Sequence, residues 1–168
     1  MTYNQQPTAR PGARSLTRVQ IAALIVGAVF LLVGVLGFIP GITTGFDTLT
    51  VAGHHTDAKL LGLFQVSVLH NLVHLLFGAA GIAASRRADA SRLFLIGGGA
   101  VYLILWLYGL VIDQSSGANF IPVNTADNWL HFGLGVGMVA LGVILSRVAT
   151  NRGSESAVAG PSHRIDPR

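Results

Sequence analysis

The chain has 168 residues, 51% hydrophobic and only 11% charged, with a mean hydropathy of +0.60. An ordinary soluble domain carries about 25% charged residues, so this balance points to one domain inserted in a membrane. The formal net charge of +4 is split among short segments without a basic stripe and interleaved aromatics, which argues against nucleic acid as a partner, and the lack of any Cys removes disulfides, thiolate metal sites, c-type haem attachment and thiol nucleophiles.

Residues 1–18 are polar, rich in Pro and Gly, and carry Arg10, Arg14 and Arg18 with no acidic residue; they are expected to form a disordered basic tail. The apolar run at 19–39 is too long for the core of a cleaved signal and ends at Pro40-Gly41, so it reads as a first transmembrane helix. A long connection follows to about Lys59, containing His54, His55, Asp47 and Asp57, with room for a short strand or turn. The second span is placed at about 62–84, its first turns in the interface because Gln65 and Ser67 interrupt the hydrophobicity. A third span at 93–112 follows the basic loop ending in Arg92. Asn124 followed by Asp127 resembles a helix start with an acidic third position, leading into a fourth span at 128–146. The domain thus runs 19–147, and 148–168 is expected to be a second disordered tail.

Arg residues cluster in the N-terminal tail, at Arg86, Arg87 and Arg92, and at Arg147 and Arg152, whereas the first and third loops carry Lys59 against Asp47, Asp57, Asp113 and Asp127. The positive-inside rule therefore puts both termini in the cytoplasm and the long first loop outside. The expected fold is all-α, an integral membrane four-helix bundle.

Two segments of these spans match in order. Gly27–Gly37 resembles Gly99–Gly109, and Asn71-x-x-His74-x-x-x-Gly78 matches Asn128-x-x-His131-x-x-x-Gly135. Tandem helical hairpins related by duplication would explain both. Spans two and four would then run the same way, with Asn71 and His74 opposed to Asn128 and His131 near the outer face and His70 facing Asp127.

Leu61-Gly62-Leu63-Phe64-Gln65 leading into His70-Asn71-Leu72-Val73-His74-Leu75, together with Ala118-Asn119-Phe120-Ile121-Pro122-Val123-Asn124-Thr125-Ala126-Asp127-Asn128-Trp129-Leu130-His131, resembles a family of small bacterial four-span membrane proteins, domain of unknown function 4383. The resemblance covers about Arg18 to Leu145 and implies a fold and a plasma-membrane location, but no activity. Where that family often has Asn-Pro before its His-Asn pair, this chain has Ser67-Val68, which bears on where span two starts.

The polar group His70, Asn71, His74, Asp127, Asn128 and His131 admits several roles. Asn and His can act as interhelical hydrogen-bond links between spans two and four in a structural or accessory protein. His70 and His74, one turn apart, can ligate a metal ion with His131 as third ligand, or two His from different helices can hold a b-type haem. Ionisable side chains in a membrane also suit proton or small-solute handling. No nucleophile motif, paired carboxylates or phosphate loop is present, so an enzyme is not expected. The glycine-rich stretches Gly97-Gly98-Gly99, Gly78-Ala79-Ala80-Gly81 and Gly133-x-Gly135-x-Gly137 sit inside apolar spans and read as helix-packing surfaces. The expected partners are the lipid bilayer and a homo-oligomer or larger membrane complex; transport by four spans would require a dimer.

Overall fold

The computed structural model describes residues 15–53 and 55–158, with side chains described as far as Ser146. His54, the N-terminal tail with Arg10 and Arg14, the side chains of Arg147 and Arg152, and residues 159–168 lie outside this description. In chain order the elements are α1 (Arg18–Leu36), β1 (Thr43–Thr44), a 3-10 turn (Phe46–Thr48), β2 (Lys59–Leu60), β3 (Phe64–Gln65), α2 (Val68–Ala84), α3 (Ala88–Val111) and α4 (Thr125–Val158). The fold is thus mostly helical, with little sheet.

Three helical segments, α1, α3 and residues Thr125–Ser146 of α4, are long and apolar enough to cross a membrane, while α2 is a shorter apolar helix of 17 residues. At 1.5 Å per residue α2 is about 25 Å long, less than a hydrocarbon core of about 30 Å. It is shorter than the expected 62–84 span because the chain preceding it forms strands. Leu61 and Gly62 take positive φ values of 53° and 71°, so the backbone turns back and pairs Leu60 with Phe64 and Lys59 with Gln65. Ser67 then starts the helix, its hydroxyl oxygen accepting the His70 N–H at 3.1 Å.

The other helix bounds also move. α3 begins at Ala88 instead of near residue 93: Asp89 suits the positive end of its dipole, and the Ser91 hydroxyl donates to the carbonyls of Ala84 and Arg87 across the tight turn. α4 continues to Val158, so the stretch 148–158 is helical where a disordered tail was expected. The apolar pattern stops at Arg147, but Arg is a good helix former and no Pro intervenes before Pro161. Loss of hydrophobicity marks the end of an apolar face, not the end of a helix.

The three strands form one antiparallel sheet in the order β1-β2-β3. Its buried Leu60, with the flanking Ala58 and Val66, packs on Val33 and Leu36 at the end of α1. The loop before it supplies Thr50 and Val51 carbonyls that accept the Val68 and Leu69 N–H groups, so the first turn of α2 has partners for donors that a helix cannot satisfy itself. At the opposite end, Gln20 accepts the Thr17 N–H and donates its own amide to the Ser85 carbonyl at 2.9 Å, tying the start of α1 to the end of α2.

Between these ends the helices pack mainly as two pairs, α1 with α2 and α3 with α4. Each pair is close enough that backbone meets backbone. A Cβ on Gly27 would lie 2.8 Å from the Gly78 carbonyl oxygen, and one on Gly99 would lie 2.8 Å from that of Gly135. The shared interior holds Phe30, Leu95, Tyr102 and Met138, while Ile25, Leu76, Ile104 and Ile144 point outward. Apolar side chains on the outside and small residues at the contacts are the pattern expected where lipid is the solvent.

The glycine stretches are not uniform, which makes a sharp prediction. Gly97, Gly133 and Gly137 have open space where a Cβ would go, unlike Gly27 and Gly99. Gly97→Ala should leave the unfolding temperature in detergent unchanged or slightly raised, whereas Gly27→Ala and Gly99→Ala should each destabilise by about 1–3 kcal/mol. Equal effects at Gly97 and Gly99 would contradict the packing described.

Candidate polar site at the sheet end of the bundle

Ser67 and the sheet fix where α2 begins, and so place His70, Asn71 and His74 in its first turns. Asn124 and Asp127 do the same for α4. The Asn124 N–H donates to the Asp127 carboxylate and the Asp127 N–H to the Asn124 side-chain oxygen, both at 3.0 Å. This reciprocal cap matches the start read from the sequence, three residues before the expected span.

The same carboxylate oxygen of Asp127 also accepts the Gln65 N–H of β3 at 3.0 Å. Asp127 therefore clamps the sheet to α4, and no hydrogen bond or ion pair joins it to His70. In place of the expected His70–Asp127 contact, one carboxylate oxygen is shared by two backbone donors, Gln65 and Asn124. The two residues nevertheless line one cavity of about 110 Å³, together with Asn71, His74 and His131. Its remaining walls are apolar, including Leu60, Phe64 and Leu134.

Asn71 and Asn128 do not oppose each other. Asn71 packs its amide on Gly37 of its own hairpin, and Asn128 packs on Gly109 of the other. Both are buried, with the Asn71 Nδ2 and Asn128 Oδ1 atoms lacking a hydrogen-bond partner. Asn128 lies away from the cavity that holds the imidazoles. The Asn-His pairs expected to bridge α2 and α4 are therefore split, the Asn residues facing α1 and α3 while the His residues face one another.

The imidazoles are arranged as a cluster. The His70 and His74 rings stack with centroids 4.6 Å apart and planes 11° from parallel, and His131 sits across the gap with its centroid 6.4 Å from that of His70. Phe30 flanks His74, and Tyr102 meets His131 edge-on at 5.3 Å. The His74 Nδ1 lies 2.9 Å from the His70 carbonyl oxygen. Yet the Nδ1 atoms of His70 and His131 are buried without partners.

This geometry does not suit the three-imidazole metal site considered from the sequence. Imidazole lone pairs lie in the ring plane, so two stacked rings direct theirs along parallel planes instead of toward a shared ion about 2.0–2.1 Å from each nitrogen. Among the described residues no three His, Cys, Asp or Glu side chains are grouped so as to hold a metal. A haem is also too large. The chamber of about 110 Å³ and a neighbouring cavity of about 70 Å³, which shares His70, His74 and His131, fall well below the roughly 300–1,000 Å³ of sites for drug-sized ligands.

Several contributors to the site carry weak sequence signals. Asn119 is fully buried and shapes the loop that places Ile121 beside the imidazoles in the smaller cavity, donating to the Gln114 and Val123 carbonyls and accepting the Val123 N–H. Its place in the run Asn119-Phe120-Ile121-Pro122 is a turn signal with no hint of its reach toward α2. Tyr102 and Phe30 reach the imidazoles from α3 and α1, where they read as ordinary span aromatics.

The clamp at Asp127 can be tested by a double-mutant cycle. Asp127→Ala and Asn124→Ala should each destabilise by about 0.5–2 kcal/mol, and the double variant by clearly less than their sum, because both remove one cap. Additive losses in detergent unfolding experiments would contradict a shared cap.

Comparisons with known proteins add one finding. No curated protein and no solved structure matches the chain. The family described as Domain of unknown function (DUF4383) matches residues 20–144, which spans α1 through the apolar part of α4 and includes every residue of the site. The chain belongs to this family of unknown function.

Proposed function

We propose that the chain is a membrane protein that binds a small polar solute in the chamber between α2 and α4. The observation that carries this reading is the pair of buried, unpartnered Nδ1 atoms of His70 and His131 beside a cavity of about 110 Å³. Side chains that serve only to link helices satisfy their polar atoms on one another, and a buried polar atom left without a partner costs about 1–3 kcal/mol. The alternative role, Asn and His as links between α2 and α4 in a structural or accessory protein, lacks such bonds across the two helices. A binding site retains polar atoms of this kind for its guest, and the sequence carries no nucleophile motif beside them, which supports a binding role.

The arrangement in the membrane follows from charge. Arg18, Arg86, Arg87 and Arg92 gather at the end of the bundle opposite the sheet, which supports cytoplasmic termini and a chamber near the outer face of a bacterial plasma membrane. α2 then makes a fourth crossing, its shortness offset by the sheet-bearing loop lying in the outer interface. Origin of the two hairpins by duplication is supported by the equivalent seating of Asn71 on Gly37 and Asn128 on Gly109.

Two experiments test this reading. If the imidazole of His131 serves a guest, His131→Leu should leave the unfolding temperature of the guest-free protein unchanged or higher. A fall of more than about 4 °C, the size expected for losing about 1 kcal/mol, would restore the linking role. Because the chain has no Cys, single Cys residues report topology cleanly. Val51→Cys should react with a membrane-impermeant maleimide in intact cells and Ala88→Cys only after lysis; the reverse pattern would invert the orientation.

A further inference from the structure

At the end of the bundle opposite the sheet, the first residues of α1 and the turn from α2 to α3 enclose an open cleft of about 540 Å³, within the size range of ligand sites. Its polar lining is Ser15, Thr17, Gln20, Arg86, Arg87 and Asp89. The acceptors of the turn are already occupied. The Ile82 carbonyl takes the Ser85 hydroxyl, that of Ala83 the Arg86 N–H, that of Ala84 the Arg87 N–H and the Ser91 hydroxyl, and that of Ser85 the Gln20 amide. Gln20 in turn accepts both the N–H and the hydroxyl of Thr17. Donors are what remains. Among the described residues neither the Arg86 nor the Arg87 guanidinium has a hydrogen bond or an ion pair, and both residues are exposed. Arg87 also stands at the cap position of α3, where it offers no acceptor, so the first N–H groups of that helix are uncapped.

Two adjacent guanidiniums beside a positive helix end suit an anion with several acceptor oxygens, and a planar guanidinium binds phosphate through two parallel N–H···O bonds. Asp89 lines the same cleft and opposes such a guest. Arg18 and Arg92 lie in the first two turns of α1 and α3, however, so this end carries four arginines against one carboxylate among the described residues. Leu16 forms part of the cleft wall and is 46% exposed, and Leu93, one turn along α3 from Asp89, is 74% exposed. Apolar surface beside a basic cleft favours a lipid over a free phosphate, because acyl chains cover it and a bare ion does not. We propose that the cleft holds the phosphodiester headgroup of an anionic phospholipid, its oxygens on Arg86 and Arg87 and its chains along α1 and α3. This inference rests on the chain being a membrane protein and is independent of the chamber between α2 and α4.

The test follows thermal unfolding of the full chain in detergent micelles doped with phosphatidylglycerol. Phosphatidylcholine at the same mole fraction is the neutral-headgroup control, and inorganic phosphate is the free-ion control. Ligand that binds only the folded protein raises the unfolding temperature with a saturable dependence on concentration. Phosphatidylglycerol should give such a rise and the two controls should not. In the double variant Arg86→Gln, Arg87→Gln the lipid concentration for half the effect should increase by about tenfold or more. Arg92→Gln, which removes a neighbouring charge outside the cleft lining, should leave it nearly unchanged. Ala88→Glu puts a second carboxylate in the cleft at a helix start, where an acid is favourable, so it should keep the fold and abolish the response. It carries the test alone if the double variant does not fold. No saturable rise with phosphatidylglycerol, an equal rise with phosphatidylcholine, or saturation by inorganic phosphate over the same range would overturn the proposal. So would a loss in Arg92→Gln as large as that in the double variant, or a response that survives Ala88→Glu. None of these results touches the chamber, which His131→Leu tests at the other end of the bundle.

Discussion

Close approach of backbones within each hairpin governs the rest of this structure. Gly27 against Gly78, and Gly99 against Gly135, bring α1 to α2 and α3 to α4 at distances that no side chain would permit. In a bilayer there is no hydrophobic gain from removing one apolar helix from lipid onto another, so contact area between small residues decides which helices associate. The glycine pairs zip two hairpins, and they leave α2 and α4 to meet more loosely. That looser seam is where the imidazoles stand.

The consequence is a division of labour between residues that look alike in sequence. Asn71 and Asn128 follow the zipped faces and press on Gly37 and Gly109. His70, His74 and His131, about one turn away or less, turn toward the seam and line a cavity instead of filling it. Above them the small sheet closes the end of the bundle. Asp127 fastens it by holding the Gln65 and Asn124 N–H groups with one oxygen, so the same residue starts α4 and seats the sheet over the imidazoles.

The helical fold and its long apolar helices were legible in the sequence, because hydropathy and charge distribution are local properties. The start of α4 was legible for the same reason, since Asn124 and Asp127 satisfy each other within one turn. What was not legible depended on distant partners. The strands at Lys59–Leu60 and Phe64–Gln65 exist because Leu61 and Gly62 take positive φ, and a Leu in that conformation is a choice that pairing imposes on the residue. The engagement of Asp127 with the sheet depends on the Gln65 backbone, 62 residues earlier in the chain. The split between Asn and His follows from which glycines have a neighbour: Gly97 and Gly99 read identically in sequence, and only the second touches α4.

The central claim is that the His74 imidazole, one turn after His70, spends its Nδ1 hydrogen on the His70 carbonyl and so keeps a bare Nε2 in the chamber it lines. Nitrogen-15 NMR of histidine-labelled protein in lipid nanodiscs at neutral pH, assigned with single His→Gln variants, reads this directly. The account predicts hydrogen on Nδ1 of His74. Hydrogen on Nε2 of His74 alone, or a doubly protonated ring there, would contradict it.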